Sequence, residues 1–275
     1  MSPSWRNRLC IAISPARISM LKLGRGLYTK PLAKHDEAVM HAGKQSSCQA
    51  ALDRLAQLLG EPEWQNAEVD IVLSNRLTRF ASIPFNAQLK SYTAQEAFAR
   101  HALLQIYGTA ANLWDLRIQQ SKAGTPSLVS AVDRALLEGL RQVCATHQLK
   151  LRSVSPYLMP VFNTYYKAIK SDPAWLVIHE PGYSLLALSS GGAFVTINGV
   201  CHERIDELPI LLDRENLAAP LAEPCKTVYV HPFSGAKLSA LPATGYEFNT
   251  LDLIVPDGFP SAAEGLYAMA MSGVL

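Results

Sequence analysis

Hydrophobic and polar positions along this chain switch between two periods, and the switches mark its elements. Three short runs rich in Ile, Leu and Tyr open it, at 9–13, 17–23 and 26–33, separated by Ser14-Pro15 and by Gly24-Arg25-Gly26. Short apolar runs divided by turn residues predict an antiparallel meander of three strands. From residue 47 the spacing lengthens, and Ala51, Leu55, Leu58 and Leu59 fall on one face of a helix capped by Ser46 or Ser47 and ended by Gly60. The compact apolar run 68–74 then reads as a strand rejoining the same sheet through that helix, as a crossover connection does.

The pattern continues with a strand at 78–84 and a helix at 93–107, where Thr93 is the expected N-cap, Glu96 completes a capping box and Gly108 is the stop. Runs 114–120 and 127–132, divided by Gly124-Thr125-Pro126, predict a second hairpin. Leu136, Leu137, Leu140, Val143 and Cys144 share one face of a helix over 134–147, and a strand at 150–154 precedes Pro156. A polar break at 170–173 then separates two apolar regions. Beyond it, strands at 175–178, 184–189 and 193–197 alternate with Glu180-Pro181-Gly182 and Gly191-Gly192, which repeats the opening meander. A strand at 228–231, a short helix or turn at 234–241, a strand at 250–255 and a helix at 261–271 complete the chain. The expected organisation is α/β in two related halves, 1–170 with an inserted strand-helix subdomain at about 76–132, and 171–275.

Composition narrows the function. Of 275 residues 49% are apolar and 17% charged, so the chain buries a proper core and is not disordered over most of its length. A formal net charge of +2 supplies no field for non-specific capture of nucleic acid or anionic membrane. Cys10, Cys48, Cys144, Cys201 and Cys225 are dispersed, form no CxxC or CxxH pair, and read as reduced packing residues of a cytosolic protein. Pro15, Arg17 and Lys22 interrupt the first apolar stretch before a signal-peptide core forms, and charge, proline or glycine interrupts 175–200 and 259–275. A soluble protein without membrane insertion is expected.

A repeated meander followed by helix and crossover strand resembles the two-lobed actin-like ATPase fold of the ribonuclease H-like group. LCIAISPARISMLKL resembles the opening strand pair of PilM-like type IV pilus assembly proteins and of the cytoplasmic region of type II secretion protein L. VDIVLSN, FASIPF and the helix ending QIYG are similar to the middle of those families, LKLRSVSPYLMPVF to the passage between their halves, and SAAEGLYAMAMSG to their C-terminal helix near the nucleotide cleft.

The resemblance implies two phosphate-binding hairpin turns, each with an Asp, a Gly and small hydroxyl residues; Gly lets backbone N–H groups close on phosphate, and Asp orients metal and water. In the first turn Ala12 stands for the Asp and Ser14 for the Gly, and Pro15 removes an N–H, while Arg17 could contact an anion. In the second, His179 stands for the Asp, Glu180 lies one position along, and Pro181, Gly182, bulky Tyr183 and Ser184 follow. Gly235 is what remains of a Gly-rich adenine loop within 228–238. A vestigial cleft of Ser14, Arg17, Glu180, Gly182, Ser184 and Gly235 is therefore expected, with neither carboxylate of Mg²⁺-assisted phosphoryl transfer, no catalytic residue and no resident cofactor or metal; ATP with Mg²⁺ is the disfavoured alternative.

The remaining chemistry-bearing residues have plainer readings. Seven histidines include no HxH or HExxH spacing, the SSGG at 189–192 matches no serine-nucleophile motif, and Gly24-Arg25-Gly26 is a turn without a following helix. Lys150 and Arg152 read as a solvated strand face, and Tyr157, Phe162, Tyr165 and Tyr166 as packing at helical spacing. The resemblance then implies a cytoplasmic scaffold at the inner membrane face of a pilus or secretion assembly. Its partners would be a short cytoplasmic tail of a membrane-anchored assembly protein, held in a groove, and an assembly ATPase. The alternatives are an active ATPase of the same fold and an unrelated two-domain α/β enzyme built on His179, Glu180 and His231.

Overall fold

The structure is a computed structural model, and it describes residues 7–24, 30–40, 46–120, 122–170, 173–233, 245–253 and 267–273. It divides into two compact units, Met1–Thr78 with Asp133–Val161 and Ile254–Leu275, and Arg79–Val132 with Phe162–Leu253. The segment expected as an insertion at 76–132 thus clusters, from Arg79 onward, with the second unit.

In the first unit β1 (Asn7–Ser14), β2 (Arg17–Gly24), β3 (Lys30–Ala38), β4 (Ala67–Leu73) and β8 (Lys150–Pro156) form one sheet in the order β3-β2-β1-β4-β8. β1 and β2 are antiparallel with Ser14 opposite Arg17, so Pro15 and Ala16 make a two-residue turn. β4 runs parallel to β1, setting Leu9, Ile11 and Ile13 beside Val69, Ile71 and Leu73, all of them buried. A parallel neighbour needs a crossover, and α1 (Ser47–Leu59) supplies it, with Ser46 accepting from Gln49 N as N-cap. α1 packs against α3 (Arg134–Thr146), where Gly139 permits the close approach: a Cβ there would lie 2.5 Å from Leu52 Cδ1. The last described helix, α6 (Ala268–Ser272), packs on β1, β2 and β4 of this unit.

The third strand is not 26–33: its described part is Lys30–Ala38, because it is a sheet edge whose Lys34, His35, Asp36 and Glu37 meet solvent and partner side chains rather than a core. Residues 25–29 lie outside the described set. Lys150 and Arg152 do more than form a solvated face, since buried Glu68 lies 3.1 Å from Lys150 Nζ and 3.8 Å from Arg152 Nε.

The second unit repeats the topology. β9 (Ala174–Glu180), β10 (Tyr183–Ser190) and β11 (Ala193–Cys201) form an antiparallel meander, β12 (Thr227–His231) runs parallel to β9, and β13 (Glu247–Thr250) parallel to β12, giving β11-β10-β9-β12-β13. Trp175, Val177, Leu186, Leu188, Val228 and Val230 form the core with Leu208 and Leu212 of α5 (Leu208–Ala218). The apolar pattern does not predict α5, because its apolar residues encircle the helix; Ile210 and Leu217 are 71% and 90% exposed. β13 lies at 247–250 rather than 250–255, again a polar edge strand. The expected turn at 234–241 with Gly235, and residues 261–266 of the expected last helix, lie outside the described residues.

A three-stranded sheet, β5 (Thr78–Ile83), β7 (Ser127–Asp133) and β6 (Trp114–Gln119) in that spatial order, is covered by α2 (Tyr92–Tyr107). Ser82 Oγ of β5 donates to the Phe194 carbonyl of β11 at 2.6 Å. The α2 N-cap is Ser91, accepting from Ala94 N at 3.1 Å, not Thr93, because the helix begins at Tyr92. α4 (Leu158–Ile169) carries Phe162, whose ring meets Phe194 at 4.4 Å; Tyr165 donates to the Asp252 carbonyl at 2.6 Å, and Tyr166 stays 37% exposed.

Candidate functional site

Each meander begins with a two-residue turn, and these turns are where phosphate chemistry would reside. At the β1–β2 turn Pro15 has no N–H to offer. The Ser14 hydroxyl closes on its own turn, donating to Arg17 O at 3.3 Å and receiving the Ala16 N–H at 3.4 Å, while Ala16 O accepts from Val39 N at 2.8 Å. Arg17 is engaged as well: its Nε donates to Asp36 Oδ1 at 2.7 Å, and its Nη2 pairs with Asp36 Oδ2. Ser19 Oγ donates to the same carboxylate at 2.6 Å. The Asp36 side chain is 9% exposed, and its bonds to the guanidinium push the Arg17 pKa further up. The cation expected to meet an anion already holds one.

At the β9–β10 turn Glu180 pairs across from Tyr183, and Pro181-Gly182, with Gly182 at φ +70°, has the residue signature of a type II turn. Gly182 O accepts from His202 N at 3.3 Å. Glu180 is 2% exposed and Ser184 wholly buried. Ser184 Oγ lies 3.2 Å from His179 Nδ1 and 2.8 Å from His202 Nε2, and the two imidazole rings stack 5.4 Å apart at 24°. One hydroxyl carries one proton, so it donates to one imidazole and accepts from the other. His202 Nδ1 is buried without a hydrogen-bond partner. The assignment that leaves no N–H stranded there has His202 Nε2–H donating to Ser184 and Ser184 donating to His179 Nδ1. Burial, and secondarily His202, push the His179 pKa down to about 4, so this imidazole is neutral at pH 7. Ser184 is thus a buried bridge rather than a hydroxyl offered to phosphate.

The alternative constellation of His179, Glu180 and His231 does not converge. His231 lies beside Ile178 in register, so it shares the face of Ile178 and Glu180, whereas His179 shares the opposite face with Val177 and Ser184. Among the described residues no group of three or more His, Cys, Asp or Glu is placed to hold a metal ion. Gly235, the remaining candidate, lies outside them. Asp36, Ser19 and His202 complete the turns: neither Asp36 nor Ser19 belongs to a chemical motif of the sequence, and His202, next to Glu203, reads there as a surface or satisfied histidine. Asp36 and Ser19 face each other in the β2–β3 register, a signal legible only with β3 drawn to Ala38; His202 reaches Ser184 from beyond the end of β11, and local spacing gives no sign of it.

No family model matches the sequence, and no curated protein does. Solved structures do. The cytoplasmic domain of EpsL, an inner membrane component of the type II secretion system of Vibrio cholerae, aligns at TM-score 0.58 and 12% identity over 98% of this chain and 94% of that one. A PilM-PilN type IV pilus biogenesis complex aligns at TM-score 0.64 and 13% identity over 98% of both chains. A Bacteroides thetaiotaomicron protein of unknown function with an actin-like ATPase fold aligns at TM-score 0.53 and 10% identity over 83% and 82%. With the repeated sheet topology, these define the class: the chain has the actin-like ATPase fold. Within that fold it is similar to PilM and to the EpsL cytoplasmic domain over nearly its whole length. No helix among the described residues is long and apolar enough to cross a membrane.

Proposed function

We propose that this protein is a non-catalytic actin-like scaffold that binds protein partners at the cytoplasmic face of an inner membrane, in a type IV pilus or type II secretion assembly. The observation that carries the reading is the Arg17–Asp36 pair. The guanidinium at the first phosphate turn is held by a carboxylate of its own sheet, and Ser14 spends its hydroxyl on the turn itself. Mg-ATP, which the fold implies, does not fit these turns: Ala12 and His179 stand where carboxylates orient the metal, and Pro15 and Pro181 remove amide donors. Ser184 is tied to two imidazoles.

Similarity to a PilM-PilN complex and to the EpsL cytoplasmic domain supports partners drawn from such assemblies; the sequence resemblance implies the short cytoplasmic tail of a membrane-anchored protein and an assembly ATPase. The test is biolayer interferometry of the full chain against the tail peptide of the candidate membrane-anchored partner, with and without Mg-ATP. Binding that Mg-ATP leaves unchanged is expected; binding that requires Mg-ATP would replace the scaffold with a nucleotide-driven switch.

A further inference from the structure

A second feature of the second unit bears on which kind of partner the scaffold takes. A pocket of about 320 Å³ opens between the β6–β7 connection, α4 and the β10–β11 turn. Phe162 and Tyr166 line it from α4 together with the Asn163 amide, Gln119 and Lys122 line it from the β6 side, and Gly191-Gly192 form its third wall. The wall is open because of the glycines. Both take positive φ, +61° and +80°, and a Cβ at Gly192 would lie 2.8 Å from the Tyr166 hydroxyl, which stands in that space instead.

Charge distinguishes the pocket from the rest of the chain. The segments that build it, 117–125, 162–170 and 190–193, contain Arg117, Lys122, Lys167 and Lys170 and no Asp or Glu, in a protein whose formal net charge is +2. Lys122 lines the pocket, and Lys170 Nζ sits 5.8 Å from the Tyr166 ring centroid. Arg117 shares the β6 face of Gln119, and Lys167 lies one helical turn from Asn163 on α4. On the same face of β6 Asp115 precedes Arg117 by two residues, about 7 Å, and stands about 13 Å from Gln119, so it lies outside the pocket lining. An aromatic floor, amide walls and the cations Lys122 and Lys170, with no Asp or Glu in the lining, complement an extended peptide whose acidic side chains alternate with apolar ones.

Resting on the scaffold reading, we propose that this pocket docks an acidic segment of a partner protein. The test is fluorescence anisotropy of the full chain with a short fluorescein-labelled peptide of alternating glutamate and leucine, beside the same peptide with lysine for glutamate. The acidic peptide is expected to bind and the basic one not, and the Lys122→Glu/Lys170→Glu double variant, with unchanged circular dichroism, to lose about tenfold in affinity. Equal binding of the two peptides, or an affinity unmoved by the double charge reversal, would overturn the proposal. Partner-tail binding with and without Mg-ATP tests the scaffold separately. A chain whose tail binding needs Mg-ATP but which prefers the acidic peptide keeps the pocket and loses the scaffold; one that binds its tail but ignores peptide charge keeps the scaffold and loses the pocket.

Discussion

Gly199→Ala probes the β9–β10 turn through the residue that stands over it. Gly199 lies on edge strand β11, and the Tyr183 ring from β10 crosses the space its side chain would fill. A Cβ at 199 would sit 2.0 Å from the Tyr183 hydroxyl, 2.7 Å from Cζ and 3.0 Å from Cε2. No real contact is that short, so the ring has to move. Tyr183 is only 9% exposed, and burial together with Glu180 holds its phenol pKa well above the usual value, so the ring is packed with little room to yield. Overpacking of this kind costs roughly 1–3 kcal/mol. Replacing glycine by alanine within a strand returns about 0.5–1 kcal/mol. At the middle of those ranges the net expectation is a loss of about 1 kcal/mol, read as a lower midpoint in urea unfolding with unchanged slope. The cause is checked by a double-mutant cycle. In a Tyr183→Ala background Gly199→Ala should become neutral or mildly stabilising, whereas Tyr183→Phe, which removes the hydroxyl but keeps Cζ, should rescue only part. A Gly199→Ala variant within about 0.5 kcal/mol of wild type would refute the packing argument, since surface changes without such a contact usually fall in that range.

Other consequences are equally open to measurement. His231 is wholly buried, and burial pushes its pKa down to about 4 from 6.5. Its neutral form is compatible with the fold above pH 6.5. As pH falls toward 4 the unfolded chain takes up a proton that the folded one resists, so stability declines by at most about 1.4 kcal/mol per pH unit for this imidazole. Urea midpoints between pH 7 and 4 should fall less steeply in His231→Gln, and an unchanged slope would contradict this. Asp36→Asn strips the carboxylate from Arg17 and Ser19 and should cost about 1–3 kcal/mol by the same unfolding assay; a negligible change would mean the pair closes nothing. Ser91→Ala should destabilise by about 1 kcal/mol and Thr93→Ala by much less, the reverse order arguing that α2 starts later than Tyr92.

Both meanders were legible because β1, β2, β9 and β10 are apolar on both faces and end at proline or glycine, at Pro15 and at Pro181-Gly182. The edge strands were less so. Among the described residues β3 and β13 each pair on one flank, and they carry Lys, Asp, Glu and Asn, so an apolar pattern stops β3 at 33 and shifts β13 to 250–255. α5 escaped because no single stripe organises its apolar residues. At the candidate site the turn residues themselves could be read from their punctuation, whereas the groups that occupy them could not. Asp36 comes from the polar stretch of β3, and His202 from 18 positions beyond Ser184, so each pairing exists only through sheet register.

The turns that would hold nucleotide in this actin-like fold are committed to their own internal bonds. Isothermal titration calorimetry of the full chain with ATP, in the presence and absence of Mg²⁺, tests this commitment most directly. No saturable heat is expected at millimolar ATP, with or without Mg²⁺. Tight, Mg²⁺-dependent binding would contradict it, since the Arg17–Asp36 and Ser184–imidazole contacts would then have to open for nucleotide.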